Sequence, residues 1–362
     1  MRVALVGNWP PPQGGVAVHV AALARSLRAR GADVRVLDLG EGGHAGPALV
    51  PARGARRLSL ALAGVAAERR LVHLHTSGAN LPSWCVALAA GRARRPGAPR
   101  GVLTLHSGSL PAWLAGSPAR RLLARAACAG FGTVVAVSEA IAAALREAGV
   151  PAARLRVLEA FSPALLEPPA PPPGLAALRA AAAPLVAAAV LPGPVYGPDL
   201  LLPAFARLRA RHPQAVLAVM GQGSQDPPFR GAPGVAGLGE LAHAAALAVL
   251  AAADVFVRAT RVDGDALTVR EALALGCRVV ASDVGHRPAG CLLFPPGDAV
   301  ALGEALLRAA ALRRPGVGGA ASPDTFEALW DVYRAHAVGR APPPAPAPIT
   351  SPLRGAGRAG RG

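Results

Sequence analysis

Asp263 and Glu271 are two carboxylates with seven residues between them, set across the glycine turn of the stretch Asp254 to Gly276. The order of residue types predicts a strand through Val257, a polar turn, a helix carrying Glu271, and a second strand from Arg278 to Ser282. In open α/β sheets, ligands bind beyond the carboxyl ends of strands, and a helix starting there offers unbonded N–H groups to an anion. That suits a diphosphate. Asp263 precedes the helix and Glu271 lies about one and a half turns into it. One carboxylate can therefore reach a sugar hydroxyl while the other reaches a ribose hydroxyl. Gly264, Asp265, Ala266, Leu267 and Thr268 form the turn and helix start where such an anion would sit. Arg258 and Arg261, close to the strand end, are the candidate phosphate cations.

Other positions could serve the same chemistry. Gly14-Gly15 sits between the strand Val3 to Val6 and an amphipathic run to Arg30, where glycine lets backbone approach a ligand. His106 follows the strand Gly101 to Leu105 and precedes Ser107-Gly108, which favours a place beside the sugar over a structural histidine. His73 and His75 alternate along one strand, so at least one of them belongs to packing or surface, and both stay out of the catalytic set. Gly7 and its loop do not make a G-x-G-x-x-G fingerprint, which weighs against a dinucleotide oxidoreductase.

These residues need a scaffold that brings several strand ends together. Strand candidates at Val3 to Val6, Val34 to Leu37, Leu71 to His75, Gly101 to Leu105 and Thr133 to Val137 alternate with helical segments, which predicts a parallel sheet covered on both faces. The same grammar restarts at Leu185 to Val190, with a helix over Asp199 to Arg211 and a strand over Ala215 to Met220 ending in Gly221-Gln222-Gly223. The reading is therefore α/β, with two Rossmann-like domains facing a central cleft. The first spans residues 1–165 on the acceptor side, and a Pro/Ala-rich linker follows over 166–184. The second, which carries Asp263 and Glu271, spans 185–322, followed by a helix 323–340 and a disordered tail 341–362. In the last helix Phe326, Leu329, Trp330 and Tyr333 recur at helical spacing and read as a packing face.

The segment from Asp263 to Ser282 resembles glycosyltransferase family 4, the retaining enzymes of GT-B fold. Their hallmark is an acidic residue, seven others, then Glu, in a pattern like E-G-F-G-L-x-x-x-E-A-x-A-x-G-x-P-V-V-A-S. Gly264, Leu267, Ala272, Gly276, Val279, Val280, Ala281 and Ser282 stand in corresponding places. The resemblance extends over nearly the whole chain. Pro12 to Val20 looks like the family's first loop and helix, Thr104 to Gly108 its strand-end His, Val137-Ser138-Glu139 its V-S-E, and Phe294 to Asp298 its late P-G-D element. It implies that Glu271 binds the nucleotide ribose and that Asp263 binds donor-sugar hydroxyls. His106 would lie near that sugar, and backbone from Gly264 to Val269 would hold sugar and phosphates. It implies no cofactor and no metal. Asp263-Gly264-Asp265 also has the spacing of the D-x-D clamp of the other major glycosyltransferase fold, but it lies inside the Glu271 pattern without evident further ligands. One departure stands out. Many members grip the diphosphate with an Arg and a Lys in G-R-L-x-x-x-K-G, where this chain has Leu191 and Tyr196; Arg258, Arg261, Arg270 and Arg287 are the candidate replacements.

Composition narrows the setting. The 362 residues suffice for two domains, and the net charge of +17 comes from Arg alone, since the chain has no Lys. With two Ile and abundant Ala and Pro this vocabulary points to GC-rich coding, which makes part of the basic excess background. Basic surface attracts phosphorylated donors, anionic lipid and nucleic acid alike; nucleic-acid binding rests on charge alone, without a motif or interleaved aromatics. Cys85, Cys128, Cys277 and Cys291 form no C-x-x-C pair and read as reduced, packed thiols of a cytoplasmic protein. Neither a signal peptide nor a span of about 20 apolar residues is read. Arg120, Arg121 and Arg125 form either a solvated helix face or a peripheral contact with anionic lipid at the inner face of the membrane. The expected partners are a nucleotide-sugar donor and a glycan or lipid-linked acceptor, with a catalytically weakened GT-B scaffold as the competing function.

Overall fold

The computed structural model describes residues 1–42, 45–315 and 324–339. The tail expected to be disordered lies outside them. Among the described residues, short and largely apolar runs form thirteen strands: Arg2–Gly7 (β1), Asp33–Asp38 (β2), Leu49–Pro51 (β3), Leu71–Thr76 (β4), Gly101–Leu105 (β5), Phe131–Ala136 (β6), Leu155–Val157 (β7), Leu185–Ala189 (β8), Val216–Met220 (β9), Val235–Gly239 (β10), Val255–Arg258 (β11), Arg278–Ser282 (β12) and Cys291–Phe294 (β13). The helices are Gly15–Ala29 (α1), Ala55–Ala67 (α2), Leu81–Arg92 (α3), Leu110–Ala115 (α4), Pro118–Cys128 (α5), Glu139–Glu147 (α6), Leu175–Ala181 (α7), Pro198–Arg211 (α8), His243–Ala252 (α9), Leu267–Ala274 (α10), Ala299–Ala311 (α11) and Thr325–Ala337 (α12).

The strands form two sheets, ordered β3-β2-β1-β4-β5-β6-β7 and β10-β9-β8-β11-β12-β13. The named pairings are parallel, as in Val3 against Val34 on one side of β1 and Leu71 on the other. Helices cover both faces, so strand interiors such as Leu5, Leu74, Val186 and Phe256 are wholly buried. Truncating a core aromatic such as Phe256 costs about 3–5 kcal/mol. In each sheet the order reverses beside its first strand, between β1 and β4 and between β8 and β11. Loops leaving neighbouring strands there diverge and open a crevice.

Two features differ from or sharpen the sequence reading. The stretch 166–184 is not simply a connector: Ala-rich Leu175–Ala181 follows its helix propensity into α7, and Leu175 packs into the core of the second sheet. The last helix belongs to the first lobe. Phe326, Leu329, Val332 and Tyr333 are buried against Leu5, Val18 and Leu23. Thr325 Oγ1 donates to the Glu159 carbonyl at 2.6 Å, and the Tyr333 hydroxyl meets His73 Nδ1. Trp330, expected on the same packing face, is half-buried with the Arg30 guanidinium 5.7 Å from its ring centre.

Candidate functional site

The two crevices face one another across a cleft of about 330 Å³. Its walls come from the loop after β1, the loop after β8, the end of β9 and the turn from β11 into α10. Gly14, Gly15, His106, Arg258, Asp263, Gly264, Asp265, Ala266, Leu267, Thr268 and Glu271 all line it. Arg261 does not. Its guanidinium is drawn away by Asp199, at 3.0 and 2.7 Å, and by the Pro194 carbonyl at 2.6 Å. Arg261, expected on the donor, is thus placed outside the cleft lining by a bidentate partner on α8.

Two helix N-termini open on the cleft. Gly14 caps α1 in extended backbone without a side-chain cap, and space around Gly14 and Gly15 is open to 4 Å. Ala266 caps α10 and likewise offers no side-chain bond to the first N–H groups. Uncapped helix starts with their positive dipole ends form anion sites.

The lobes touch closely where the site is assembled. A Cβ on Gly108 would lie 1.8 Å from the Asp263 carbonyl oxygen, and one on Gly264 would lie 2.4 Å from the His106 carbonyl oxygen. Only glycine admits this approach of backbone to backbone. Gly108→Ala is therefore expected to prevent the lobes from meeting as they do here; small-angle scattering of that variant, compared with wild type, reads the opening.

Asp263 is largely buried, and four donors meet its carboxylate, three of them on one oxygen. Arg258 Nε and Nη2 lie 3.0 and 3.3 Å from its oxygens, Thr260 Oγ1 2.9 Å and Arg287 Nη2 3.1 Å. Burial alone would raise its carboxyl, but Arg258, then Arg287 and Thr260, prevail and bring it down to about 2. A depressed carboxylate stabilises the fold above its unfolded value of 3.8 and loses that contribution as pH falls toward 2. The stability gap between wild type and Asp263→Asn is expected to shrink by about 2 kcal/mol over that acid range. Chemical denaturation of both proteins at successive pH values measures it.

Arg258 also lies over Tyr196, with Cζ 5.3 Å from the ring centre. The position where the resemblance expects a lysine thus holds an aromatic that steadies a cation from β11. Asp265, expected on the donor, lines the cleft, yet its carboxylate is spent elsewhere. Oδ2 accepts the Ala160 N–H at 2.7 Å and Oδ1 accepts Arg270 Nε at 2.7 Å, which binds the segment after β7 to the second lobe. Arg270 in turn pairs with Glu159 at 2.7 Å, which takes it out of the candidate phosphate cations.

Glu271, 2% exposed, accepts from His243 Nε2 at 2.7 Å. His243 opens α9, and its Nδ1 lies 2.8 Å from Glu167. Sequence reasoning did not place His243 or Glu167; the available signal was a lone imidazole in the first turn of an otherwise Ala, Leu and Val helix. On the first lobe, His106 Nε2 stands 3.2 Å from His75 Nδ1. Burial, with a smaller push from His19, holds His106 well below the ordinary imidazole value, so it enters the site neutral. Among the described residues no group of three His, Cys, Asp or Glu is placed to hold a metal ion, and no helix is long and apolar enough to cross a membrane.

Comparison with known proteins completes the description. Residues 13–160 match the model of Glycosyltransferase Family 4 and residues 184–311 that of Glycosyl transferases group 1, so the two cover most of the chain. No curated protein matches it by sequence. Among solved structures it is similar to HepE of Anabaena in complex with UDP and glucose, at 20% identity and a TM-score of 0.60, covering 85% of this chain and 89% of that one. Sucrose-phosphate synthase of Thermosynechococcus elongatus gives 20% and 0.65, covering 93% and 96%. WaaG, a glycosyltransferase involved in lipopolysaccharide biosynthesis, gives 16% and 0.58, covering 86% and 90%. At such identities the likeness establishes the fold, which is GT-B.

Proposed function

We propose that this chain, which belongs to the glycosyltransferases of family 4 and group 1, moves a sugar from a nucleotide-diphosphate donor to a polysaccharide or lipid-linked glycan with retention of configuration. The observation that carries the reading is the convergence, in one cleft, of Glu271, Asp263, Arg258 and the uncapped starts of α1 and α10. Glu271 takes the ribose hydroxyls through its remaining oxygen. The starts of α10 and α1, with Arg258, face the diphosphate, and Asp263 and the neutral His106 face the sugar.

In the reaction the bond from the anomeric carbon to the diphosphate oxygen breaks, the acceptor oxygen bonds to that carbon on the same face, and the departing diphosphate takes the acceptor proton. Charge grows on the diphosphate, so the site's task is to stabilise an anion with preorganised N–H groups. HepE, bound to UDP and glucose, makes uridine nucleotides the first to try. The basic helix α5, with Leu122 exposed beside Arg121, supports an acceptor presented at an anionic membrane surface.

A non-catalytic scaffold is the competing reading. It is favoured by the fact that Arg258, the one Arg among the described residues lining the cleft, is already paired with Asp263. The deciding experiment measures thermal stability with uridine, guanosine and adenosine diphosphates and their sugars, followed by nucleotide release with glycan acceptors. Ligand at about 100 times its dissociation constant adds about 2.7 kcal/mol, a shift of a few degrees. A shift with turnover, and product of unchanged anomeric configuration, is expected. A shift without turnover would favour the scaffold, and no shift with any nucleotide would overturn the donor site.

A further inference from the structure

Two carboxylates flank one imidazole at the back of the donor pocket. His243 Nε2 is 2.7 Å from Glu271 Oε1, and Nδ1 is 2.8 Å from Glu167 Oε1. A carboxylate at hydrogen-bond distance from each ring nitrogen favours a proton on both, which is the imidazolium form. Burial opposes that charge, but Glu271 first and Glu167 second outweigh it and raise His243 above the ordinary imidazole value. Glu167 lies on the connector between the lobes, and its other oxygen is 3.4 Å from Arg25 Nη2 on α1. The line Glu271, His243, Glu167, Arg25 thus alternates in sign from the donor pocket to the first lobe.

We propose that His243 is a positioning residue for the nucleotide. As an imidazolium it pins Glu271 Oε1, leaves Oε2 turned to the ribose, and ties that pose through Glu167 to the connector and α1. A glutamate side chain has three torsions to fix, and the imidazolium 2.7 Å from Oε1 supplies a restraint on them. The charge matters as well as the bond. With His243 neutral, the two carboxylates face one N–H between them, and the wall beside the diphosphate becomes more negative. The groups facing the ring are Glu271 from α10 and Glu167 from the connector, with Arg25 of α1 behind Glu167.

The inference rests on the donor reading above and is tested on nucleotide binding by the whole protein. Calorimetry with uridine diphosphate, or with the nucleoside diphosphate the thermal panel selects, is run from about pH 6 to about pH 9, which spans the ordinary imidazole value and the range above it. Wild-type affinity is expected to fall about tenfold toward the alkaline end, the worth of one hydrogen bond to a charged group. His243→Gln keeps an amide NH2 as donor and carries no charge. It should bind at the wild type's alkaline level throughout, apart from the nucleotide's own titration, which it records as the control. Glu167→Gln should move the wild-type fall to lower pH, because one of the two carboxylates that raise His243 is gone.

Equal affinity and equal pH profile in wild type and His243→Gln would overturn the inference and leave the donor site standing. Absence of nucleotide binding by wild type at every pH would overturn the donor reading and the inference together.

Discussion

Glu271→Ala is expected to lower nucleotide affinity about 10- to 150-fold, since a hydrogen bond to a charged group is worth about 1.5–3 kcal/mol. Two effects combine in that loss. The ribose loses its acceptor, and His243 loses the carboxylate 2.7 Å away. The imidazolium then faces Glu167 alone, so its raised proton affinity weakens and the pocket loses order beyond the deleted side chain. Glu271→Gln separates these effects: it retains the shape and one acceptor oxygen but not the charge, and should fall between wild type and Ala. Calorimetric titration with the nucleoside diphosphate, on variants shown by circular dichroism to be folded, measures both. Wild-type affinity in a folded Ala variant would remove Glu271 from the donor site.

How far this site could be seen in the sequence depended on whether its parts are local. Asp263, Gly264 and Glu271 lie within one strand-turn-helix unit, where spacing fixes which residues share the strand's carboxyl end. Gly14-Gly15 and His106 were visible for the same reason, each following its own short apolar strand. The parallel α/β alternation was equally plain in Val3 to Val6 or Gly101 to Leu105. Short edge strands such as Leu49–Pro51 and Leu155–Val157 carry too few residues to show a period.

What spacing could not show was pairing across the chain. Arg258 ends β11 and Arg261 lies three residues beyond it, yet Asp199, 62 residues before Arg261, draws that one from the cleft while Tyr196 and Asp263 keep Arg258 beside it. His243 and Glu167 are 76 residues apart and meet only because α9 and the connector converge behind Glu271. The destination of α12 was hidden likewise. Its apolar face is legible as a face, but nothing in it says that the partner is the first lobe, where Ser162 and Glu159, more than 160 residues upstream, hold the start of the helix.

Arg270→Ala is expected to cost about 3–5 kcal/mol of stability, because it leaves a buried carboxylate without its ion-pair partner. Asp265 has no exposed side-chain surface and Arg270 has 2%. Removing the guanidinium leaves Asp265 with the Ala160 N–H, and leaves Glu159 with His286 at 3.2 Å. Water cannot replace the lost charge without opening the joint between the segment after β7 and the start of α10. A fall in Tm on the order of 10 °C follows for a domain pair of this size. Burial already drives the Asp265 carboxyl upward against the pull of Arg270. Without Arg270 it rises further, so the penalty is complete above the new folded value and fades as pH drops below the unfolded 3.8. The double variant Asp265→Asn, Arg270→Met keeps an acceptor for the Ala160 N–H and removes both charges. Replacing both members of a buried pair is often close to neutral, so it should recover most of the loss. Urea denaturation of the single and double variants at neutral and acid pH decides the matter: an Arg270→Ala variant as stable as wild type would mean that the Asp265 pair does not hold the lobes in register.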